Sequence, residues 1–282
     1  MLIFKKVEEI KKYLRPQQQA GKTIGFVPTM GYLHEGHLSL MRKAREECDL
    51  VVASIFVNPI QFGPGEDYDR YPRDLERDRK LAEEVGVDVL FVPEKEELYP
   101  PDYATYVEVE RVSEGMCGAS RPGHFRGVAT VVTKLFNIVR PDRAYFGQKD
   151  AQQAVVIMQM VRDLNMDVEI RVLPVVREAD GLAMSSRNVY LKGEERQAAL
   201  VLYRTLKEAV ELVRCGEKDP EKVRQFMADR VAAEPMARLD YAEVRQWPTL
   251  AVPTKLEGQI LLALAVFIGQ TRLIDNMVVE VP

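Results

Sequence analysis

Two histidines three residues apart, His34 and His37, lie in Thr29-Met-Gly-Tyr-Leu-His34-Glu-Gly36-His37. The stretch follows a strand-like run and opens a helical one. In a doubly wound sheet that junction favours phosphate, because unpaired backbone N–H groups and the positive end of the helix dipole converge there. Gly31 and Gly36 let the backbone approach a ligand closely. Two imidazoles at this place can donate hydrogen bonds to phosphate oxygens and stabilise charge that builds up in a transition state. The competing reading, two ordinary capping histidines, loses weight because strand, glycines and helix come in the right order. Zinc is disfavoured: the spacing is i, i+3 across a glycine rather than the helical i, i+4, and no cysteine cluster completes a ligand set, so no metal site is assigned to the protein.

Three further clusters are placed for chemistry. Phe56-Val-Asn58-Pro-Ile-Gln61-Phe-Gly63 follows the second strand, where Asn58 and Gln61 can hydrogen-bond a small polar substrate or simply form a turn around Pro59. Gly147-Gln148-Lys149-Asp150 opens another helix, bearing Gln152 and Gln153; Lys149 is a phosphate-seeking charge, and Asp150 can accept from a ribose hydroxyl or cap the helix. Met184-Ser185-Ser186-Arg187-Asn188 offers hydroxyls, a guanidinium and an amide, a set suited to a triphosphate on a mobile loop. His124, in Arg121-Pro-Gly-His-Phe-Arg-Gly127, reads equally well as structural or as part of an anion site, and Arg126 receives no role.

The patterning predicts the elements that position these residues. A helix leads from Lys5 to about Gln18, with Pro16 signalling its end. Strands are expected at Thr23–Pro28, Leu50–Val57 and Val87–Pro93, alternating with helices after His37 and over Asp74–Gly86. The grammar repeats with a helical stripe from Val128 to Val139, a strand at Arg143–Phe146, a helix at Ala151–Leu164 and a strand at Val168–Leu173. The expectation is a Rossmann-like doubly wound parallel sheet over 1–176. Over 177–282 a smaller α+β domain covering the active site is expected, with helices at Glu194–Arg214 and Pro220–Ala233 and a hairpin of Gly258–Ile268 with Arg272–Val281.

The 282 residues carry 46% hydrophobic and 29% charged side chains with a net charge of −4, which fits a globular chain and offers no basic field for nucleic acid. The longest apolar run, Ile260 to Ile268, is well short of the roughly 20 residues of a membrane helix. With no signal-peptide pattern and three unpaired-looking cysteines, Cys48, Cys117 and Cys215, the expected location is the cytoplasm. The loop from Phe62 to Asp74, with Gly63, Pro64, Gly65 and Pro72 among charges, is expected to form a flexible wall that excludes water.

Five ordered blocks, Pro28-Thr-Met-Gly31 with His34-x-Gly-His37, Val57-Asn-Pro-x-Gln61-Phe, Arg121-Pro-Gly-His-Phe-x-Gly-Val128, Phe146-Gly-Gln-Lys-Asp150 and Met184-Ser-Ser-Arg-Asn188, make the whole chain resemble the pantothenate synthetase family of the nucleotidyltransferase superfamily. The synthetase-type loop of that superfamily begins with lysine, and here Ala183 stands in that place. The resemblance implies an ATP-dependent ligase that condenses (R)-pantoate with β-alanine to pantothenate, AMP and pyrophosphate through a pantoyl adenylate, with Mg²⁺ accompanying ATP. It implies His37, His34, Lys149 and Arg187 as catalytic, His37 foremost. It implies ATP binding by Met30, Gly31, Tyr32, Leu33, His34, Glu35, Gly36, His37, by Gly147 to Asp150, by the Val176 backbone at adenine and by Met184 to Arg187. Pantoate would meet Gln61 and Gln153, β-alanine would meet Gln61, and a homodimer is implied. The alternatives are another small-molecule adenylyltransferase and a non-catalytic nucleotide-binding protein, which would bind ATP without releasing pyrophosphate.

Overall fold

In a computed structural model describing residues 1–281, the chain runs β1 (Leu2–Phe4), α1 (Val7–Gln19), β2 (Ile24–Thr29), α2 (Glu35–Glu47), β3 (Leu50–Ile55), α3 (Leu75–Glu84), β4 (Val89–Phe91), α4 (Lys95–Leu98), α5 (Met116–Ser120), α6 (His124–Val139), β5 (Arg143–Gly147), α7 (Ala151–Asp163) and β6 (Glu169–Leu173). There follow α8 (Glu194–Ala198), α9 (Val201–Arg214), α10 (Pro220–Ala232), β7 (Ala237–Gln246), β8 (Gly258–Ile268) and β9 (Thr271–Val281). One packing unit comprises Met1–Glu110, Arg121–Gly147 and Val156–Pro174; the other comprises Arg111–Ser120, Gln148–Val155 and the chain from Val175. The division interleaves where the sequence suggests a single cut at 176/177, because nothing in the patterning of the two short segments marks the unit they join.

The first unit is a parallel six-stranded sheet in the order β1-β4-β3-β2-β5-β6. Strands buried on both faces need apolar residues at successive positions, and β2 and β3 supply them. Phe26 and Val52 face a core with Ile10 and Leu14 of α1 and Val128, Leu135 and Val139 of α6. Val27, Val51 and Ala53 face the opposite core with Leu38, Met41 and Ala44 of α2. The helix α2 lies close on its strand: a Cβ at Gly25 would meet Cys48 Sγ at 3.0 Å and Ala44 Cβ at 3.1 Å. Strand order reverses between β2 and β5, so the loop after β2 opens at the switch point, the place where such sheets bind ligands.

The second unit holds the antiparallel sheet β7-β8-β9. Ile260, Leu262, Leu264 and Val266 of β8 pack with Leu206, Val210 and Val213 of α9 and Val223, Met227 and Val231 of α10. This is the Rossmann-like sheet with a smaller α+β part that the patterning predicts, with three differences. The hairpin gains a third strand, β7, whose charged residues conceal its period; Asp240 and Arg272 pair across the sheet at 2.7 Å. The edge strand β1 is only three residues long and lies unmarked before the first helix. The expected helix at 194–214 divides into α8 and α9.

Candidate active site

Thr29 ends β2 with its hydroxyl donating to Ser54 O at 2.7 Å and accepting from Gly31 N at 3.1 Å. Gly31 has φ +81°, and a Cβ there would meet Ile55 Cγ2 at 2.9 Å, so this turn is closed to other residues. The next two N–H groups, of Tyr32 and Leu33, each donate to the Asp78 carboxylate at 2.7 Å. Asp78 is 1% exposed on α3. Burial pushes its carboxyl above the usual range, against the pull of those two N–H groups and of Arg77. Asp78 thus fixes the segment entering the histidine pair, a role the sequence did not disclose because its signal is one acid among many on a charged helix.

His34 is the N-cap of α2: its Nδ1 accepts from Gly36 N at 3.2 Å, while His37 Nδ1 accepts from His34 N at 3.3 Å. This reciprocal capping box satisfies helix-end donors. It also fixes the chemistry of both rings. A nitrogen that accepts from a backbone N–H carries no proton, so the neutral imidazoles carry theirs on Nε2 and present N–H donors there. The rings stack with centroids 4.0 Å apart. Capping and ligand donation are therefore compatible, each using a different nitrogen. Glu35, next in line, pairs with Arg42.

Asn58 and Gln61 are 1% and 8% exposed around the 3₁₀ turn Pro59–Gln61. Asn58 Nδ2 donates to Gln61 Oε1 at 3.0 Å and to Gly127 O at 3.1 Å, and Gln61 Nε2 reaches Met30 Sδ at 3.2 Å. His124 is buried beside the same turn, with Nδ1 2.9 Å from Gln61 O and Nε2 3.1 Å from Arg121 Nη1. Arg121 in turn holds Glu66 of the 62–74 loop through two contacts of 2.6 and 2.7 Å. Burial opposes ionisation of Glu66, but the hydrogen bonds and charge of Arg121 outweigh it and hold the carboxyl below its usual range. The loop also packs on itself, Phe62 against Tyr68 and Tyr71. Gly147, at the end of β5, has open space where a Cβ would stand. Arg126 stacks on Tyr106 at 4.0 Å.

In the second unit the turn Gln148–Asp150 carries Lys149, whose Nζ lies 3.5 Å from Asp150 Oδ2. Asn276 clamps this turn: Nδ2 donates to Gln148 O at 2.9 Å and Lys149 O at 3.0 Å, and Oδ1 accepts from Gln148 Nε2 at 3.2 Å. Beneath it Arg177 meets Asp275 in a two-point ion pair of 2.6 and 2.9 Å. The Val176 carbonyl accepts from Met184 N at 3.0 Å, which ties the start of the serine loop to the neighbouring segment. Ser185 Oγ accepts from Arg187 N at 3.2 Å, Ser186 is buried, and Asn188 donates to Glu178 and Ala183 at 2.8 and 3.1 Å. Gln152 is used up structurally, bonding Cys117 N and the carbonyls of Val112, Glu114 and Gly115, whereas its neighbour Gln153 is half-buried. Asn276 and Asp275 were not legible as site-supporting residues, since more than a hundred residues separate Asn276 from the turn it holds.

Among the described residues no three His, Cys, Asp or Glu side chains cluster as a metal cage, and no helix is long and apolar enough to cross a membrane.

Residues 2–278 match the family described as pantoate-beta-alanine ligase. A pantothenate synthetase from Pelotomaculum thermopropionicum is 63% identical over 99% of both chains. A crystal structure of pantothenate synthetase from Thermus thermophilus superposes with a TM-score of 0.93 at 49% identity, covering 98% of this chain and 99% of that one. A pantoate-beta-alanine ligase from Francisella tularensis, complexed with beta-gamma ATP and beta-alanine, superposes with a TM-score of 0.80 at 36% identity over 98% and 97% of the two chains.

Proposed function

The chain belongs to the pantoate-beta-alanine ligase family, and we propose that it condenses pantoate with β-alanine at the expense of ATP, giving pantothenate, AMP and pyrophosphate by way of a pantoyl adenylate. The observation that carries the catalytic reading is the reciprocal capping of His34 and His37, which leaves both rings as Nε2–H donors at the switch point of the sheet. The first half-reaction joins two anions, a carboxylate and the α-phosphate. Donors and cations must offset their repulsion and the charge on the departing pyrophosphate. His37 and His34 supply donors, and Lys149 and Arg187 supply charge. Mg²⁺ arrives with the triphosphate as part of the substrate, held mainly by phosphate oxygens and water.

In the same reading Met30 to His37, Gly147 to Asp150, Val176 and Met184 to Arg187 bind ATP, Gln61 and Gln153 bind pantoate, and Gln61 later seats β-alanine, whose amine displaces AMP from the acyl carbon. The enzyme works in the cytoplasm as a homodimer. The deciding experiment is pyrophosphate release from Mg·ATP with pantoate alone, then AMP and pantothenate after β-alanine is added. Release that depends on pantoate, followed by amide formation, supports the whole scheme. ATP binding without release refutes it, and release with a different acid refutes the substrate assignment.

A further inference from the structure

Asparagine and glutamine amides can be turned either way, so which end faces a ligand is decided by their neighbours. For Asn58 and Gln61 the decision traces back to one backbone atom. Gly127 O can only accept, so the Asn58 atom 3.1 Å from it is the amide nitrogen. The Asn58 oxygen therefore points the other way, toward Tyr99, and the Tyr99 hydroxyl 2.9 Å from it must donate. The second Asn58 N–H goes to Gln61, whose facing atom must then be its oxygen. This leaves the Gln61 nitrogen on the far side, with Met30 sulfur, a weak acceptor, as its protein partner.

We propose that Tyr99 is a positioning residue for the acid substrate: acting through Asn58, its hydroxyl holds Gln61 with the amide nitrogen, a donor, turned toward the substrate's oxygen atoms. The proposal rests on the reading that Gln61 binds pantoate and specifies how. Tyr99 is well suited to the task. It is 8% exposed, its ring packs edge-on against Tyr103 at 5.0 Å, and burial pushes its phenol well above the usual range, so the hydroxyl stays protonated and able to donate. Asn58, 1% exposed, is shielded from solvent that could replace a lost partner. A carboxylate or hydroxyl oxygen fits a donor there, whereas a flipped Gln61 would oppose it with a carbonyl.

The test compares Tyr99→Phe, Gln61→Leu and the double variant in the full-length enzyme, by pyrophosphate release at varied pantoate and varied ATP, with thermal unfolding alongside. Removing one buried neutral hydrogen bond should raise KM for pantoate roughly fivefold to tenfold in Tyr99→Phe, with KM for ATP unchanged; in the Gln61→Leu background the second substitution should add nothing. Equal rises in both KM values, or wild-type behaviour of Tyr99→Phe while Gln61→Leu raises KM for pantoate, would overturn the proposal. If Gln61→Leu leaves KM for pantoate unchanged, the underlying reading of Gln61 fails first. Asn58→Asp is the second variant: its carboxylate cannot donate to Gly127 O and forces the Gln61 nitrogen back toward itself, so KM for pantoate should rise further than in Tyr99→Phe, and a smaller rise counts against the relay.

Discussion

Gly127 is where helix α6 touches the turn Pro59–Gln61, and the alanine variant tests that contact quantitatively. A Cβ at 127 would stand 2.5 Å from Ile60 O, 2.6 Å from Gln61 Cα and 2.7 Å from Gln61 N. These are backbone atoms, so no side chain can swing aside; reaching the 3.4 Å of ordinary contact requires the helix and the turn to part by about 0.9 Å. Overpacking of this kind costs about 1–3 kcal/mol, and each kcal/mol lowers Tm by about 2–4 °C in a chain of this size. The same displacement moves Gln61 itself. Misplacing a substrate-positioning group on the order of 1 Å costs about 100-fold, so kcat/KM for pantoate should fall about 100-fold in Gly127→Ala, with KM for ATP changed far less. Gly63→Ala is the control, because its nearest neighbour, Glu66 Oε1, is 3.7 Å away. Differential scanning calorimetry and pyrophosphate release read the two effects. Wild-type melting and a wild-type KM for pantoate in Gly127→Ala would refute the packing of α6 on this turn.

Asp78→Asn should destabilise by about 1.5–3 kcal/mol, because an amide can accept from only one of the Tyr32 and Leu33 N–H groups and turns a donor toward the other; unchanged thermal unfolding would contradict the role given to the acid. Glu66 supplies a pH dependence. Its carboxyl lies below the ordinary value of 4.5, so its tie to Arg121 is complete above that pH and is lost as the pH falls through the lower folded value. Amide protection in the 62–74 loop, corrected for intrinsic exchange, should drop in that acid window, and Glu66→Gln should show the low-protection behaviour already at pH 7. Gly147→Ala should leave Tm unchanged, since nothing in the protein occupies the space, yet raise KM for ATP at least about tenfold if a nucleotide approaches that backbone; unchanged ATP kinetics would remove Gly147 from the site.

The sheet could be read because its central strands are uninterrupted apolar runs and its helices carry clear stripes. The histidine pair, Gln61 and Lys149 stood out in the sequence because they follow strands of the sheet, and the roles proposed for them start from that position. What escaped was everything whose partner is remote in sequence. Asp78 is 45 residues from Leu33, and Asn276 is 128 from Gln148. Tyr99 follows a helix of four residues that no period could reveal, and it bonds a residue 41 positions earlier. Strand β7 escaped for another reason: Arg238, Asp240, Glu243 and Arg245 interrupt its apolar alternation, and only the folded sheet accounts for them, with Asp240 paired to Arg272, Glu243 to Arg245, and Arg238 over the Phe267 ring.

One physical rule connects the histidines, the Gln61 relay and the Asn276 clamp. Side chains that can donate or accept are given a fixed polarity by backbone groups that cannot change theirs: N–H groups for His34 and His37, the Gly127 carbonyl for Asn58, and the carbonyls of Gln148 and Lys149 for Asn276. It follows that reversing polarity at constant shape should be worse than deleting the side chain. In Asn58→Ala two acceptors lose a donor, and the space vacated admits water. In Asn58→Asp Gln61 turns its nitrogen to the new carboxylate, but a charged oxygen is still held against Gly127 O, a buried like-polarity contact that raises the carboxyl's pKa. At neutral pH the Asp variant should therefore have the lower Tm and the higher KM for pantoate of the two. As the pH falls the Asp variant should improve relative to the Ala variant, because protonation restores one O–H donor toward Gly127 O. If the Ala variant is the worse at pH 7, or if the difference does not narrow on acidification, backbone polarity is not what orients this turn.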